Sequence, residues 1–317
     1  MDSLIFFHMN QLGDLLFSLP VLAAARKQWP EKRILSVVRP ALGPLLTASG
    51  LVDGVVVRHP AGGIAALRFV AHLSKERAQT GVFFSESPGS IITAVAAGIS
   101  QRIGFDTASL RLLLTDTAAR TGVPSLKNNK NLGIKIGLTA IADDYAGLIT
   151  VPAAENVEAL RWLGEQSFSP DRVVLLSPGA SRRRQDKCWD VSRWTELANR
   201  IIGGGLHPIL IGAPQEREAL SRIARLCSAA LPVFCAENGI LSLAALMRLS
   251  RVFIGIDSGA MHLAASGGTP VIALFAVTDP AQVGPRPASR HQIIKRDAMD
   301  AITVEDVCNA LKNIQVL

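Results

Sequence analysis

From Val252 to Pro280 the chain reads VFIGIDSGAMHLAASGGTPVIALFAVTDP, and the order of residue types in this run leaves few folds open. Val252-Phe253-Ile254 is β-branched and aromatic, as a buried strand requires. The stretch from Gly255 to Gly259 interrupts it with small and polar residues, and Ala260 to Ser266 is alanine-rich and helical. Gly267-Gly268-Thr269-Pro270 supplies the glycine and then the proline that end helices. Val271 to Phe275 is a second buried strand. Strand, turn, helix and strand in this order make a βαβ unit, which needs a parallel sheet and hence an α/β fold. The turn aims the unpaired N–H groups of a helix start, at the positive end of its dipole, towards any phosphate. Ser258 adds a hydroxyl, Gly259 permits close backbone approach, and His262 lies one turn on. Taken alone, the local pattern also allows Asp257 or Ser258 to be no more than a helix cap.

The run D-S-G-A-M-H-L-A-A, followed by G-T-P and by T-D-P at Thr278 to Pro280, resembles the C-terminal signature of the ADP-heptose glycosyltransferases, glycosyltransferase family 9. The resemblance implies an α/β enzyme of GT-B type, with two Rossmann-like domains whose parallel sheets face each other across a cleft. It also implies that Ser258, Gly259 and His262 hold the diphosphate of a nucleotide-sugar donor, with Asp257 shaping the turn of that donor site.

At 317 residues the chain exceeds the usual size of one domain, so two domains of roughly 150 residues are expected. A linker at Thr150 to Ala154 divides it into residues 1–152 and 153–317. Hydrophobic residues at 49% suffice for two cores, and aromatics at 5% make those cores aliphatic. No run of ~20 apolar residues suggests a membrane-spanning helix, and the first residues lack the pattern of a signal peptide. A cytoplasmic protein is expected. Cys188, Cys227, Cys235 and Cys308 have no CxxC or metal-ligand spacing and read as reduced packing residues. The net charge of +7 calls for an acidic partner. Without a nucleic-acid-binding motif, an anionic glycan or glycolipid acceptor, met at the inner face of the cytoplasmic membrane, suits charge and resemblance better than nucleic acid does.

In the N-terminal half, Leu4 to His8 is a strand, Asn10 to Asp14 a loop, and Leu15 to Trp29 a helix bent by Pro20. Open α/β sheets place ligands at such a βα turn. G-D-L-L-F-S-L-P resembles the family's N-terminal motif, which implies that Asp14 is the catalytic aspartate. Sugar transfer to a hydroxyl needs a base to take its proton as the bond to the anomeric carbon forms. On local pattern alone, Asp14 reads as a cap of the first helix. Strands are expected at Ile34 to Val38, Val55 to Val57, Val82 to Phe84 and Gln101 to Phe105, with helices at Leu42 to Ser49, Ile64 to Ala78 and Ile91 to Ala97. The basic segment Lys127 to Asn131, with Lys135, reads as a solvated loop opening a helix. It could also meet an anionic acceptor, as could Arg58, Arg68, Arg102, Arg111 and Arg120.

In the C-terminal half, a helix from Glu155 to Gln166 leads to the strand Val173 to Leu176, which empties into SPGASRRRQDKCW, Ser177 to Trp189. A strand running into Gly, Ser and cations suits an anionic ligand. This loop resembles the family's donor loop, which implies donor contacts from Ser177, Gly179, Ser181 and Lys187, the lysine offsetting charge on the departing diphosphate. A surface loop is the alternative for Arg182 to Arg184. Trp189 is expected to begin a helix, although Asp190 stands where the family often has proline. Gly203 to Gly205 stops that helix and is no phosphate loop. After the strand Pro208 to Ile211, the resemblance implies a glutamate on the ribose hydroxyls: Glu216, or else Glu218. A helix-start acidic residue is the plain reading of either. Leu243 belongs to a stretch resembling the base pocket. Val304 to Asn313 is a helix that, by the resemblance, packs back on the first domain.

The resemblance thus implies an inverting glycosyltransferase. Its donor is expected to be ADP-heptose and its acceptor a hydroxyl of lipopolysaccharide inner core. Neither cofactor nor metal is expected, because lysine and helix-start donors can carry the charge. Alternatives are a family member with another nucleotide sugar or acceptor, a sugar-nucleotide epimerase, and a non-catalytic sugar-nucleotide-binding module.

Overall fold

The computed structural model describes residues 3–9, 11–58, 63–122, 125–179, 184–237 and 239–314, Gln185 by its backbone alone. The chain forms two units, Met1–Thr150 and Val151–Leu317.

In the first unit, strands β1 (Ser3–Phe7), β2 (Arg33–Val38), β3 (Gly54–Val57), β4 (Thr80–Phe83), β5 (Gln101–Phe105) and β6 (Asp116–Ala118) alternate with helices. The helices are α1 (Leu12–Gln28), α2 (Gly43–Ser49), α3 (Ile64–Lys75), α4 (Pro88–Ala96) and α5 (Leu126–Lys135). The strands form one parallel sheet in the order β3-β2-β1-β4-β5-β6. Side chains two apart along a strand share a face. Ile5, Phe7, Leu35, Val37, Val56 and Phe83 therefore build one core with Leu73 of α3 and Ile91 and Ala94 of α4.

The second unit repeats the plan with β7 (Val173–Ser177), β8 (His207–Gly212), β9 (Val233–Cys235), β10 (Val252–Ile256), β11 (Val271–Phe275) and β12 (Gln292–Lys295). Its helices are α6 (Ala153–Glu165), α7 (Val191–Gly203), α8 (Arg217–Leu226), α9 (Ile240–Leu249), α10 (Gly259–Ser266), α11 (Pro280–Val283) and α12 (Val304–Asn313). The sheet runs β12-β11-β10-β7-β8-β9, which is the first unit's order read from the other edge. In each sheet the order reverses beside the first strand, β1 against β4 and β7 against β10. Ligands of Rossmann-like sheets bind at the carboxyl ends of such strands.

Several elements differ from the sequence reading. Helix α1 starts at Leu12, so Asp14 lies in its first turn instead of in a loop. A carboxylate there meets the favourable end of the dipole. The segment expected to be a solvated loop is α5, and its Asn128 and Asn129 are buried. Asn128 is satisfied by both backbone groups of Thr121, at 3.0 Å each. Helix α7 begins at Val191 instead of Trp189, because Asp190 caps it through the Ser192 N–H at 2.7 Å. Trp189 instead is buried edge-on to Trp194, its indole N–H donating to the Ile302 carbonyl at 2.9 Å. The edge strands β6 and β12 have no counterpart in the sequence reading. The last helix, α12, has the bounds the sequence suggests; capped by a reciprocal Thr303–Asp306 pair, it sinks Val304, Val307, Cys308, Ala310 and Leu311 into the second unit's core. Among the described residues, no helix is long and apolar enough to cross a membrane.

Candidate functional site

Four strands of the second unit deliver polar residues to their carboxyl ends. After β10, Asp257 accepts from the Lys187 ammonium and, at 2.6 Å, from the Thr278 hydroxyl that follows β11. Both members of this ion pair are largely shielded, with side-chain exposures of 13% for Lys187 and 10% for Asp257. A charge pair held so far from water is tightly positioned. Ser258 occupies the N-cap position of α10, but its side chain does not cap the helix. Its buried hydroxyl has no hydrogen-bond partner among the described residues. Neither Asp257 nor Ser258 therefore spends its side chain as the helix cap that local pattern allowed. An unpaired buried hydroxyl costs about 1–3 kcal/mol, a cost that a ligand oxygen at this helix start would offset.

His262, one turn into α10, is buried, and burial lowers its pKa to about 4 against a smaller opposing pull from Asp257. At neutral pH it is an uncharged imidazole that can donate one N–H.

The neighbouring strands contribute Gly179 beyond β7 and Glu216 beyond β8. A Cβ on Gly179 would collide with the Glu216 carboxylate, and one on Gly212 would come within 2.9 Å of Glu216 Oε2. Glu216 thus lies over two strand ends where only glycine gives it room, held by the Ala213 N–H at 2.7 Å. Glu218 is exposed on α8. Ser177 is buried at the end of β7, in register with Gly255 of β10. Gly259 is the first residue of α10, and Leu243 is buried in α9. Ser181 and its neighbours Arg182 and Arg183 lie outside the described residues. The structure thus brings Gly179, Lys187, Glu216, Asp257, Ser258, Gly259 and His262 to the carboxyl ends of this unit's sheet, with Leu243 in the helix before β10.

The first unit's carboxyl edge is built differently. Among the described residues, Asp14 makes no hydrogen bond or ion pair. Burial raises its pKa to about 6, partly countered by the Arg120 guanidinium. Arg120 is paired with Glu86, which follows β4, and lies 5.5 Å over the Phe105 ring. Thr107 donates a second hydrogen bond to Glu86. Below them His8 is buried between two hydroxyls, Ser18 at 2.9 Å from Nδ1 and Ser36 at 3.0 Å from Nε2. Ser18 donates its own proton to the Leu15 carbonyl at 2.6 Å. The ring therefore donates from Nδ1 and accepts at Nε2, and burial lowers its pKa to about 3.

The remaining cations separate by environment. Arg102 spends its guanidinium on the carbonyls of Leu113, Ile99 and Ser100. Lys130 and Lys135 pair with Asp143 and Asp116. Arg58 donates to Ser90 at 2.7 Å, while Arg68 and Arg111 are exposed. Sequence reasoning did not single out Glu86 or the role of Thr278. The signal for Glu86 was available, as a carboxylate directly after the strand beside β1. Thr278 stands at the matching place after β11.

Comparison with known proteins bears on the fold and the family. Lipopolysaccharide heptosyltransferase 3 of Escherichia coli (strain K12) is 24% identical over 285 residues, spanning 86% of this chain and 81% of that protein. Among solved structures, a glycosyl transferase family 9 protein from Veillonella parvula is similar with a TM-score of 0.89 at 17% identity, covering 99% of this chain and 97% of its own. The E. coli heptosyltransferase WaaC with ADP is similar with a TM-score of 0.80 at 17% identity, covering 98% and 99%. These likenesses establish a GT-B-type fold. The family model of Glycosyltransferase family 9 (heptosyltransferase) matches residues 90–313, well over half of the sequence, and the chain belongs to that family.

Proposed function

We propose that the protein is an inverting glycosyltransferase that moves heptose from ADP-heptose to a hydroxyl of an anionic glycan or glycolipid such as lipopolysaccharide inner core. The observation that carries this reading is the buried Ser258 hydroxyl at the start of α10, without a partner among the described residues and beside the Lys187–Asp257–Thr278 set. A diphosphate there would accept from Ser258, from the α10 N–H groups and from neutral His262, while Lys187 offsets its charge. Glu216 would accept from the ribose hydroxyls. The solved WaaC structure with ADP supports an adenine nucleotide as donor.

In the reaction, the acceptor oxygen would attack the anomeric carbon with inversion while Asp14 takes the hydroxyl proton. The anomeric C–O bond to the diphosphate would break and ADP would leave. A carboxylate with its pKa raised to about 6 is a stronger base than an ordinary aspartate yet remains ionised at neutral pH. With positive charge supplied by Lys187 and the helix start, the transfer is proposed to be metal-independent. The chain would act in the cytoplasm, at the inner face of the membrane.

Titration with ADP, UDP and GDP tests the donor. ADP should raise the melting temperature most, since a ligand bound only to the folded state stabilises it, and Ser258→Ala should weaken that shift. No shift with any of the three would end the donor assignment. EDTA should leave the transfer rate unchanged, and activity restored only by Mg²⁺ or Mn²⁺ would refute metal independence.

A further inference from the structure

We propose that the outer face of α3, α4 and the 3-10 turn Arg111–Leu113 docks on an anionic lipid bilayer. This deepens the proposed function and rests on it only for its purpose, access to a membrane-borne acceptor.

The three elements are neighbours, with α4 touching both others. Their inner sides share one core, through Leu73, Ile91 and Ala94, with Leu110 and Leu114 packed against it. Their outer sides are apolar where a solvated surface would be polar. Ile64 and Leu67 of α3 are each 69% exposed, Ile92 of α4 52%, and Leu112 of the turn 93%. The whole of α4, PGSIITAVA, carries no charged residue. Ile92, Val95 and Ala96 stand three and four apart, and all are exposed. Single exposed aliphatics are ordinary, but a set of them on three adjoining elements marks an interaction surface.

Charge selects the occupant. None of the three elements contains an acidic residue. Arg68 and Lys75 at one side and Arg111 at the other are exposed and make no ion pair among the described residues. The acid that follows α3, Glu76, is already held by Arg33 at 2.6 Å. Apolar elements whose own charges are all cationic are the arrangement that inserts into the headgroup boundary of an anionic bilayer. A second copy across a two-fold axis would set the same cations against each other. The exposed Val157 and Leu160 of α6 differ, because Arg161 there bridges Glu158 and Glu165. That helix face is solvated.

The test is flotation of the intact chain with vesicles of phosphatidylethanolamine and phosphatidylglycerol, against vesicles of phosphatidylcholine. Binding is expected to the first alone and to weaken with salt. The pair Ile92→Glu and Leu112→Glu should weaken it about tenfold or more. The triple change Arg68→Glu, Lys75→Glu and Arg111→Glu should weaken it roughly a hundredfold. Val157→Glu with Leu160→Glu should change nothing. The proposal is overturned if the intact chain ignores anionic vesicles, or if the α4 and turn variants bind them as well as the parent. A dimer in sedimentation that Ile92→Glu with Leu112→Glu dissolves would likewise overturn it and assign the face to a second copy. The ADP melting shift, read on the same preparations, separates the two failures: its loss sinks the donor reading whatever the vesicles do, and its persistence without vesicle binding sinks only this surface.

Discussion

The two units are built on one strand order, and each has an aspartate near the carboxyl end of a strand at its order reversal, Asp14 after β1 and Asp257 after β10. Their surroundings are opposite. Asp257 accepts from an ammonium and a hydroxyl on its Oδ2, so its charge fixes Lys187. Asp14 has no such partners among the described residues, and burial leaves it with a pKa of about 6. The neighbouring cation, Arg120, is committed to Glu86. The two strands flanking the order reversal, β1 in one unit and β10 in the other, therefore carry an available base and a positioning group. The backbone plan sets the place, and the side chains around it set the chemistry.

Replacement of the two carboxylate environments should separate their roles. Asp14→Asn should lower kcat by about 10²–10⁴-fold while leaving the ADP melting shift intact, and a variant that keeps near-parental turnover would break the contrast. Lys187→Ala should cost about 10²–10³-fold in kcat and diminish the ADP shift as well. Gly179→Ala, which drives a methyl into Glu216, should weaken ADP binding on the order of tenfold, the equivalent of one lost charged hydrogen bond. The pH profile of the chemical step in the parent should fall below about pH 6 as Asp14 takes up a proton.

The smallest expected effect is on stability, and its sign sharpens the contrast further. Between about pH 4 and pH 6 the folded chain holds a proton on Asp14 that the unfolded chain has released. Asp14 therefore destabilises the fold as pH rises through that window, by at most about 3 kcal/mol. Asp14→Asn should melt a few degrees higher than the parent at neutral pH. His8, His262 and His291 act in the opposite direction. Burial lowers them to about 3, 4 and 4, so the stability they permit is present above about pH 6.5 and is lost as pH falls towards their folded values. Melting followed from pH 7 to pH 4 should therefore drop, and a His262→Gln variant should drop less steeply.

Much of the fold is legible in the residues because central strands are continuous apolar runs. Val173 to Leu176 and Val271 to Phe275 are buried on both faces and permit no other reading. The edge strands escape for the same reason in reverse: β6 begins with Asp116, and β12 is flanked by Gln292 and Lys295, half-wet positions that look like loops. Lys127 to Asn131 misleads because composition says solvent, whereas Asn128 is needed inside to satisfy Thr121. At the sites, single residues at strand ends can be named from pattern and resemblance. What they touch cannot, because Glu86 with Arg120 and Thr278 with Asp257 meet only once the strand ends they follow are aligned at one edge of a sheet. The collision that glycine avoids at Gly179 is likewise a property of β7 and β8 together.

The buried imidazole of His8 fastens three segments at once, the end of β1, helix α1 through Ser18, and β2 through Ser36. Burial keeps it uncharged, its pKa lowered to about 3, with Nε2 accepting from the Ser36 hydroxyl. Ser18 lies one turn along α1 from Asp14, so this clasp also seats the helix that carries the base. Acid should therefore silence the protein at two depths. The shallow one, near pH 6, reverses as soon as Asp14 gives up its proton. The deep one unbuckles the first helix from its sheet, and recovery from it must wait for the helix to re-dock.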